Sequence, residues 1–301
     1  MPSGILLLDK PRGLSSNAAL QQVRSLYNRE KAGHVGSLDP LATGMLPICL
    51  GEATKVAADV LDGRKCYRFT VALGARTATG DTEGEVIATA AVPALTPGEL
   101  AAVLARFHGP QTQVPPMYSA IKRHGQPLYR LARAGVTVER AARDIELFAL
   151  GVISVSQAAL ELEVLCSKGT YVRVLAEDIA AALGTCGHVT QLRRLYVEPF
   201  ASEPMHTLES LSEARGAGSG PALLPADAAL MHLPAVIVSA VAAERLRHGQ
   251  RVAADAPPHS TRVRLYEASG EFLGLGAADG SGGVQPRRLL KAAGSPVSGG
   301  G

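Results

Sequence analysis

Asp39 is a carboxylate without a local partner. In the run Gly33-His34-Val35-Gly36-Ser37-Leu38-Asp39-Pro40-Leu41-Ala42-Thr43-Gly44-Met45-Leu46-Pro47 it is the one acid, and the next along the chain is Glu52. An acid set among Leu, Ala, Gly and Pro needs a partner from elsewhere, because burying an unpaired charge is costly. Pro40 pushes Asp39 out of the helical region and offers no backbone N–H. The segment therefore reads as a rigid, irregular loop presenting a single acid, although Asp-Pro also opens ordinary turns. Such an acid suits nucleophilic or general-base work. The Walker loop, a strand followed by G-x-G-x-x-G, a D-x-D pair at Asp39 and the G-x-S-x-G elbow are all missing. A two-carboxylate glycosidase needs a second acid nearby, and the sequence does not place Asp81 or Asp178 beside Asp39.

Other side chains are candidates to join it. Tyr171-Val172-Arg173 follows Gly169 at a strand-to-helix junction. An Arg facing a buried carboxylate pairs bidentately and holds it ionised; the alternative for Arg173 is a surface helix charge. Tyr67, beside Arg64, Lys65 and Arg68, is either a stacking platform or a core residue at a strand end. His34 is either a contact residue or an ordinary loop histidine.

These residues need elements to hold them. Ile5 to Leu8 reads as a buried strand, followed by helical spacing of Leu20, Val23 and Tyr27 behind Ser15, Ser16 and Asn17 as N-cap candidates. Glu52 to Leu61 predicts a helix with Gly63 at its end. Alternation predicts strands from Tyr67 to Leu73 and from Leu160 to Cys166. Thr96-Pro97-Gly98-Glu99 is a capping box with Pro at the first helical position, and Gly109-Pro110 is expected to stop that helix. A further helix runs to Leu183 and ends at Gly184. Arg215 to Pro221 is rich in glycine and reads as a linker or surface loop. Beyond it lies a compact unit with a strand at Val236 to Val238, a helix from Ala240 to His248, and a hairpin about Ser269-Gly270. The tail 292–301 is expected to be disordered. Interspersed strands and helices without regular βαβ alternation favour an α+β fold.

The bulk composition narrows the classes. The 301 residues are 47% hydrophobic, enough for a sizeable core, and the net charge is +3. That is mildly basic, below the footprint of a dedicated nucleic-acid domain. Local clusters such as Lys122-Arg123-His124, Arg193-Arg194, Arg245 with Arg247, and Arg287-Arg288 suit phosphate contacts better than the global charge does. Cys49, Cys66, Cys166 and Cys186 are far apart and lack metal-ligand spacing, so they read as reduced core thiols. With no apolar run near the ~20 residues needed to span a bilayer, a soluble cytoplasmic protein is expected.

Taken in order, the blocks resemble one family. Gly33 to Lys55, GHVGSLDPLATGMLPICLGEATK, resembles the signature of the TruB family, the stand-alone bacterial tRNA pseudouridine-55 synthases. Agreement extends to Leu7-Leu8-Asp9-Lys10-Pro11, to Tyr67 with Leu73-Gly74 and Asp81, and to Pro115 through Lys122. It continues through Cys166-Ser167-Lys168-Gly169-Thr170-Tyr171-Val172-Arg173 and Leu192 to Leu195. Residues 232–291 resemble, more weakly, a small PUA-type RNA-binding domain. Glu198-Pro199 stands where the family has a Gly-containing pair.

The resemblance implies a mixed, largely antiparallel pseudouridine synthase sheet with flanking helices over residues 1–230, a β-rich PUA-like domain over 231–291 and the tail beyond. It implies isomerisation of uridine 55 in the tRNA T loop, with no cofactor, no metal, no guide RNA and a monomeric enzyme. Asp39 matches the essential aspartate, Tyr67 the tyrosine that stacks on the target base, and Arg173 the arginine that pairs with the aspartate and is expected to depress its pKa. His34 matches a loop-contacting histidine. Tyr171 and Leu192 are expected to line the uracil pocket, and Lys55 and Asp81 also fall at motif positions. The rival readings are a tRNA-binding or folding protein in which catalysis is secondary, and an RNA-guided synthase of the dyskerin type.

Overall fold

The computed structural model describes residues 3–291 apart from His124, Ser219, Pro221, Ala222 and His259. The tail expected at 292–301 and His124 of the basic cluster lie outside the described residues.

Period-two alternation builds the centre of the molecule. Tyr67, Phe69, Val71 and Leu73 on Lys65–Leu73 and Leu160, Leu162, Val164 and Cys166 on Ala159–Cys166 are all buried on one face. These two strands lie in an eight-stranded sheet. Its order is Gly4–Lys10, Thr43–Leu50, Gly187–Val197, Lys65–Leu73, Ala159–Cys166, Arg143–Val155, Gly109–Gln113, with Ala32–His34 added to Thr43–Leu50. Neighbours are antiparallel except Thr43–Leu50 and Gly187–Val197, which run parallel where Arg193 faces Thr43 and Arg194 faces Gly44. The Thr43–Leu50 strand has Gly4–Lys10 along one edge. Its other edge is shared: the start meets Gly187–Val197 and the last three residues pair with Ala32–His34. Residues 35–42 therefore leave the sheet from its interior, which sets the Asp39 loop over the middle of the fold.

Both faces of that region are covered. On Gly4–Lys10, Leu6 and Leu8 join one core with the helices Ser16–Leu26 and Val172–Ala182. Ile5 and Leu7 point the other way, into a core with Met45, Val56 and Val60 that also takes Leu275. That residue belongs to the C-terminal five-stranded sheet, ordered Ala235–Val238, Val263–Glu267, Phe272–Ala278, Gly283–Leu289, Val252–Ala253, which has its own core under the helix Ala240–Arg247. The fold is thus α+β with a β-rich C-terminal part. Among the described residues no helix is long and apolar enough to cross a membrane.

Two local expectations change, and the Glu198-Pro199 departure finds its place. Glu52 to Leu61 is not one helix but a tighter 3₁₀ stretch, Gly51–Val56, followed by Ala57–Asp62. Gly109-Pro110 opens the edge strand Gly109–Gln113 rather than ending a helix; the helix Pro97–Ala105 has already closed, and its capping box forms as expected. Edge position tolerates a proline that cannot donate to the ladder. At the Glu198-Pro199 departure the strand ends at Val197, and Glu198 forms a two-pronged pair with Arg64.

The two sheets dock through specific contacts. Lys55 Nζ donates to the Leu289 carbonyl at 2.7 Å, Arg288 Nη1 to the Lys55 carbonyl at 2.8 Å, and the Lys291 N–H to Glu52 Oε2 at 2.7 Å. Phe272 and Leu290 pack beside Leu275 on the shared core. Truncation after Leu230 removes these residues from Ile5, Met45 and Val60. The expected result is a clearly lower melting temperature by calorimetry, alongside any loss of RNA affinity. A truncated chain that melts with the intact one overturns the shared-core account.

Candidate active site

The Asp39 loop is stiff because its backbone is held from three sides. The Ser16 hydroxyl donates to the Leu38 carbonyl at 2.9 Å and accepts from the Leu38 N–H at 2.7 Å, while Ser15, not Ser16, caps the helix. Gly13 N–H donates to the Pro40 carbonyl at 2.7 Å. Leu38, Leu41 and Ala42 are buried and anchor the loop into the core. From beneath, Arg194 donates through Nε to the Met45 carbonyl at 2.7 Å and through Nη2 to the Gly36 carbonyl at 2.8 Å. Gly44 has φ +98°, and a Cβ there would lie 2.1 Å from the Arg194 carbonyl oxygen, so only glycine allows this approach.

Arg173 fixes the carboxylate itself. Its side chain is 4% exposed; Nε lies 2.9 Å from Asp39 Oδ2 and 3.6 Å from Asp81 Oδ2. The remaining nitrogens donate to the Thr79 carbonyl at 2.6 Å and the Tyr118 carbonyl at 2.7 Å. The Asp39 contact is single-pronged, not the bidentate pair expected, because both Nη groups are already spent on backbone carbonyls. Asp81 is buried, accepts from the Thr79 hydroxyl and from the Glu83 N–H at 3.0 Å, and so is fixed beside the same Nε that Asp39 contacts. It is the second acid of the site.

Asp39 opens into a cavity of about 430 Å³ whose wall includes Tyr67, Tyr171, Arg173, Leu192 and Arg194. Five residues distant in sequence are thereby brought together with Asp39. Gln113 sets Tyr171 by a reciprocal pair of hydrogen bonds, donating to its carbonyl at 3.1 Å and accepting from its N–H at 2.7 Å. Arg194 Nη1 lies 3.4 Å from the Tyr67 hydroxyl, and its guanidinium carbon is 5.9 Å from the ring centroid, a cation–π arrangement.

The electrostatics differ from the sequence expectation in one respect. Although the Asp39 side chain is 39% exposed toward the cavity, burial among its neighbours raises its pKa above the ordinary carboxylate value. Arg173 opposes that rise and the Asp81 carboxylate adds to it. The expected net depression by Arg173 is therefore not met: desolvation outweighs one guanidinium shared between two acids. Burial likewise raises the Tyr67 phenol against the pull of Arg194, so at neutral pH the ring carries its proton. Two lysines at the site, Lys65 of the cavity wall and Lys10 behind it, are also desolvated. Lys10, 0% exposed and donating to the Pro11 and Leu14 carbonyls, and Lys65, donating to the Leu61 and Gly63 carbonyls, are each pulled down to about 8.

Other sequence candidates lie elsewhere. His34 ends the strand that leads into the loop, outside the cavity wall. Burial and then Arg194 lower its pKa, so it stands neutral, with Nδ1 buried and unpartnered. Lys55 is bound to Glu52 Oε2 at 2.6 Å and to the C-terminal sheet, away from the cavity. The Arg193-Arg194 cluster is split between a part-exposed and a buried arginine. Arg193 is clamped by Asp9 through two hydrogen bonds, and Arg194 is 1% exposed. Cys49, Cys66, Cys166 and Cys186 are all free, the first three buried.

Similar proteins give this arrangement its class. The fold aligns with a chain of a Cbf5-Nop10-Gar1 complex at TM-score 0.70 and 27% identity, over 91% of this chain and 78% of that one. It also aligns with a chain of an H/ACA RNP bound to a substrate RNA containing 2′-deoxyuridine, at TM-score 0.71 and 23% identity, over 96% and 85%. Residues 24–172 match the TruB family pseudouridylate synthase N-terminal domain, 173–231 the tRNA pseudouridylate synthase B C-terminal domain, and 234–290 the C-terminal domain of pseudouridine synthase II TruB. These findings place the chain among the pseudouridine synthases. Within that class, it belongs to the TruB family. The chain is 52% identical to tRNA pseudouridine synthase B of Chromohalobacter salexigens, over 96% of this chain and 95% of the relative. Against the Stutzerimonas stutzeri protein of the same name it is 48% identical over 96% of each.

Proposed function

We propose that the chain is a tRNA pseudouridine synthase that isomerises uridine 55 of the T loop, working as a cytoplasmic monomer without guide RNA, cofactor or metal. The carrying observation is the Arg173-held Asp39 carboxylate opening into a cavity that Tyr67, Tyr171 and Leu192 help to line. A uracil stacked in a folded loop cannot reach such a carboxylate, so it is flipped out at a cost of a few kcal/mol. Stacking on an aromatic ring, worth about 1–3 kcal/mol per base, offsets part of that, and Tyr67 and Tyr171 are the available rings.

In this reading Asp39 acts ionised on the bound nucleotide, the N1–C1′ bond breaks, uracil turns within the cavity, and C5 bonds to C1′ as its proton leaves. Nothing is oxidised or hydrolysed. Arg173 holds the carboxylate, and Asp81 acts through Arg173 as a positioning residue. Neutral His34 meets the T loop beside the cavity, and Lys55 serves the docked C-terminal sheet. The test is tritium release from T-arm RNA labelled at C5 of uridine 55, with no other RNA present. Release from that position supports the reading, and no release from it, with release from the same RNA labelled at all its uridines, overturns the site assignment.

The raised Asp39 pKa has a consequence for the pH profile. Protonation disarms the carboxylate, so kcat/KM falls on acidification at a pH above the ordinary aspartate value of 3.8. Arg173 holds that pKa down. Arg173→Ala is therefore expected to lower turnover and also to move the acid limb to still higher pH. A limb that stays in place or moves down contradicts the assigned charge coupling.

A further inference from the structure

The segment Pro115 through Lys122, singled out in the sequence, supplies a cavity residue that the mechanism above leaves unused. Ser119 is 5% exposed and lines the same cavity as Asp39. Its backbone is fixed: the N–H donates to the Met117 carbonyl at 2.9 Å, and its carbonyl accepts from the Tyr129 N–H at 3.1 Å. The preceding residue, Tyr118, gives its carbonyl to Arg173, so Ser119 is placed by the arginine that holds Asp39. The Ser119 hydroxyl is buried and makes no hydrogen bond of good geometry; its polar neighbour is the Tyr171 phenol, which lines the same cavity. Among the described residues it is the buried side-chain polar atom of this cavity without a well-aligned partner. Of the other polar side chains in the wall, Thr170 donates to the Ser167 carbonyl at 3.0 Å, Lys168 pairs with Asp62, Ser37 is exposed, and the Tyr171 phenol lies beside Ser119 itself.

A buried hydroxyl without a well-aligned partner is costly unless a ligand completes it, and a base entering between Ser119 and the Tyr171 phenol would do so. Uracil presents a carbonyl, an imide N–H and a second carbonyl along one edge, and a serine hydroxyl can donate or accept. We infer that Ser119 hydrogen-bonds the polar edge of the flipped uracil and helps hold the base in register over Asp39. Ser119 is thus a substrate-contacting residue for the base itself, distinct from contacts that grip the RNA backbone. The assignment rests on the functional reading given above.

The test compares wild type with Ser119→Ala, a change that removes one oxygen and leaves the wall otherwise filled. Tritium release from C5-labelled T-arm RNA measures kcat/KM. Affinity is measured separately on T-arm RNA with an abasic site at position 55, which keeps the backbone contacts and lacks the uracil edge. The expected result is about a tenfold fall in kcat/KM, with affinity for the abasic RNA unchanged. Wild-type kcat/KM in the variant overturns the proposal. An equal loss of affinity for the abasic RNA also overturns it, because the serine then acts on the fold and not on the base. Failure of the wild-type enzyme to release tritium from this RNA overturns the functional reading itself and is told apart by that control.

Discussion

Asp39→Asn is expected to bind T-arm RNA as the wild type does and to release no measurable tritium, a fall of about 10⁴-fold or more. The carboxamide keeps the shape of the side chain and an oxygen that accepts from Arg173 Nε, so the 2.9 Å contact survives the change. Asp81, 3.6 Å from the same nitrogen, still neutralises the guanidinium. What disappears is the anion that attacks or takes a proton. Stability moves the other way. A carboxylate whose pKa is raised in the folded state binds protons more tightly there than in the unfolded chain. Ionised Asp39 therefore destabilises the fold as pH rises through and above that window. Removing the charge relieves this cost, so the variant's melting temperature at pH 7 is expected to rise while its catalysis is lost, a trade typical of strained sites. A dead enzyme that binds RNA also separates the two functional readings: any tRNA-folding activity that persists in it belongs to binding alone. Near-normal tritium release by this variant sinks the assignment of Asp39.

How much of this was legible in the sequence depended on whether the signal was local. The helix Ser16–Leu26 with its Ser15 cap, the capping box at Thr96 and the strand Lys65–Leu73 each rest on a pattern within one segment. Asp39 stood out as an acid without a local partner, whereas the choice of Arg173 and Tyr67 to join it came from the family resemblance. The strand Arg143–Val155 was missed because beyond Gly151 it is exposed on both faces and shows no alternation. Gly187–Val197 was missed for the opposite reason. It crosses the middle of the sheet, where buried Arg194 sits on a face that a hydrophobicity pattern assigns to solvent. Ser16 read as a cap and proved to be a clamp on Leu38, twenty-two residues away. Gln113 acts on the backbone of Tyr171, 58 residues away, and Lys10 on the carbonyls of the turn that follows it, and neither contact leaves a periodic trace.

Arg194→Met is expected to lower kcat by about 10²-fold, to leave KM for T-arm RNA near the wild-type value, and to reduce the melting temperature. Arg194 is 1% exposed, so it cannot grip RNA phosphates from outside. Its guanidinium is solvated by protein instead, through the Gly36 and Met45 carbonyls and the Tyr67 ring and hydroxyl. Gly36 and Met45 flank Asp39 in sequence, and Tyr67 is in the cavity wall, so one side chain sets the distance between acid and ring. Methionine fills much of the same space but donates nothing, leaving two carbonyls to find new partners at about 1–3 kcal/mol each if they fail. A loop that relaxes by roughly 1 Å takes the carboxylate out of line, which is the scale of misplacement that costs about 10²-fold. Arg194→Lys keeps the charge with fewer donors and is expected to fall between the two. The charge itself leaves a separate signature. Arg194 lowers the His34 pKa, so in Arg194→Met the His34 imidazole should titrate at higher pH by NMR, while Arg194→Lys should restore much of the wild-type value. A raised His34 pKa together with wild-type kcat would show that Arg194 shapes the local field without positioning Asp39.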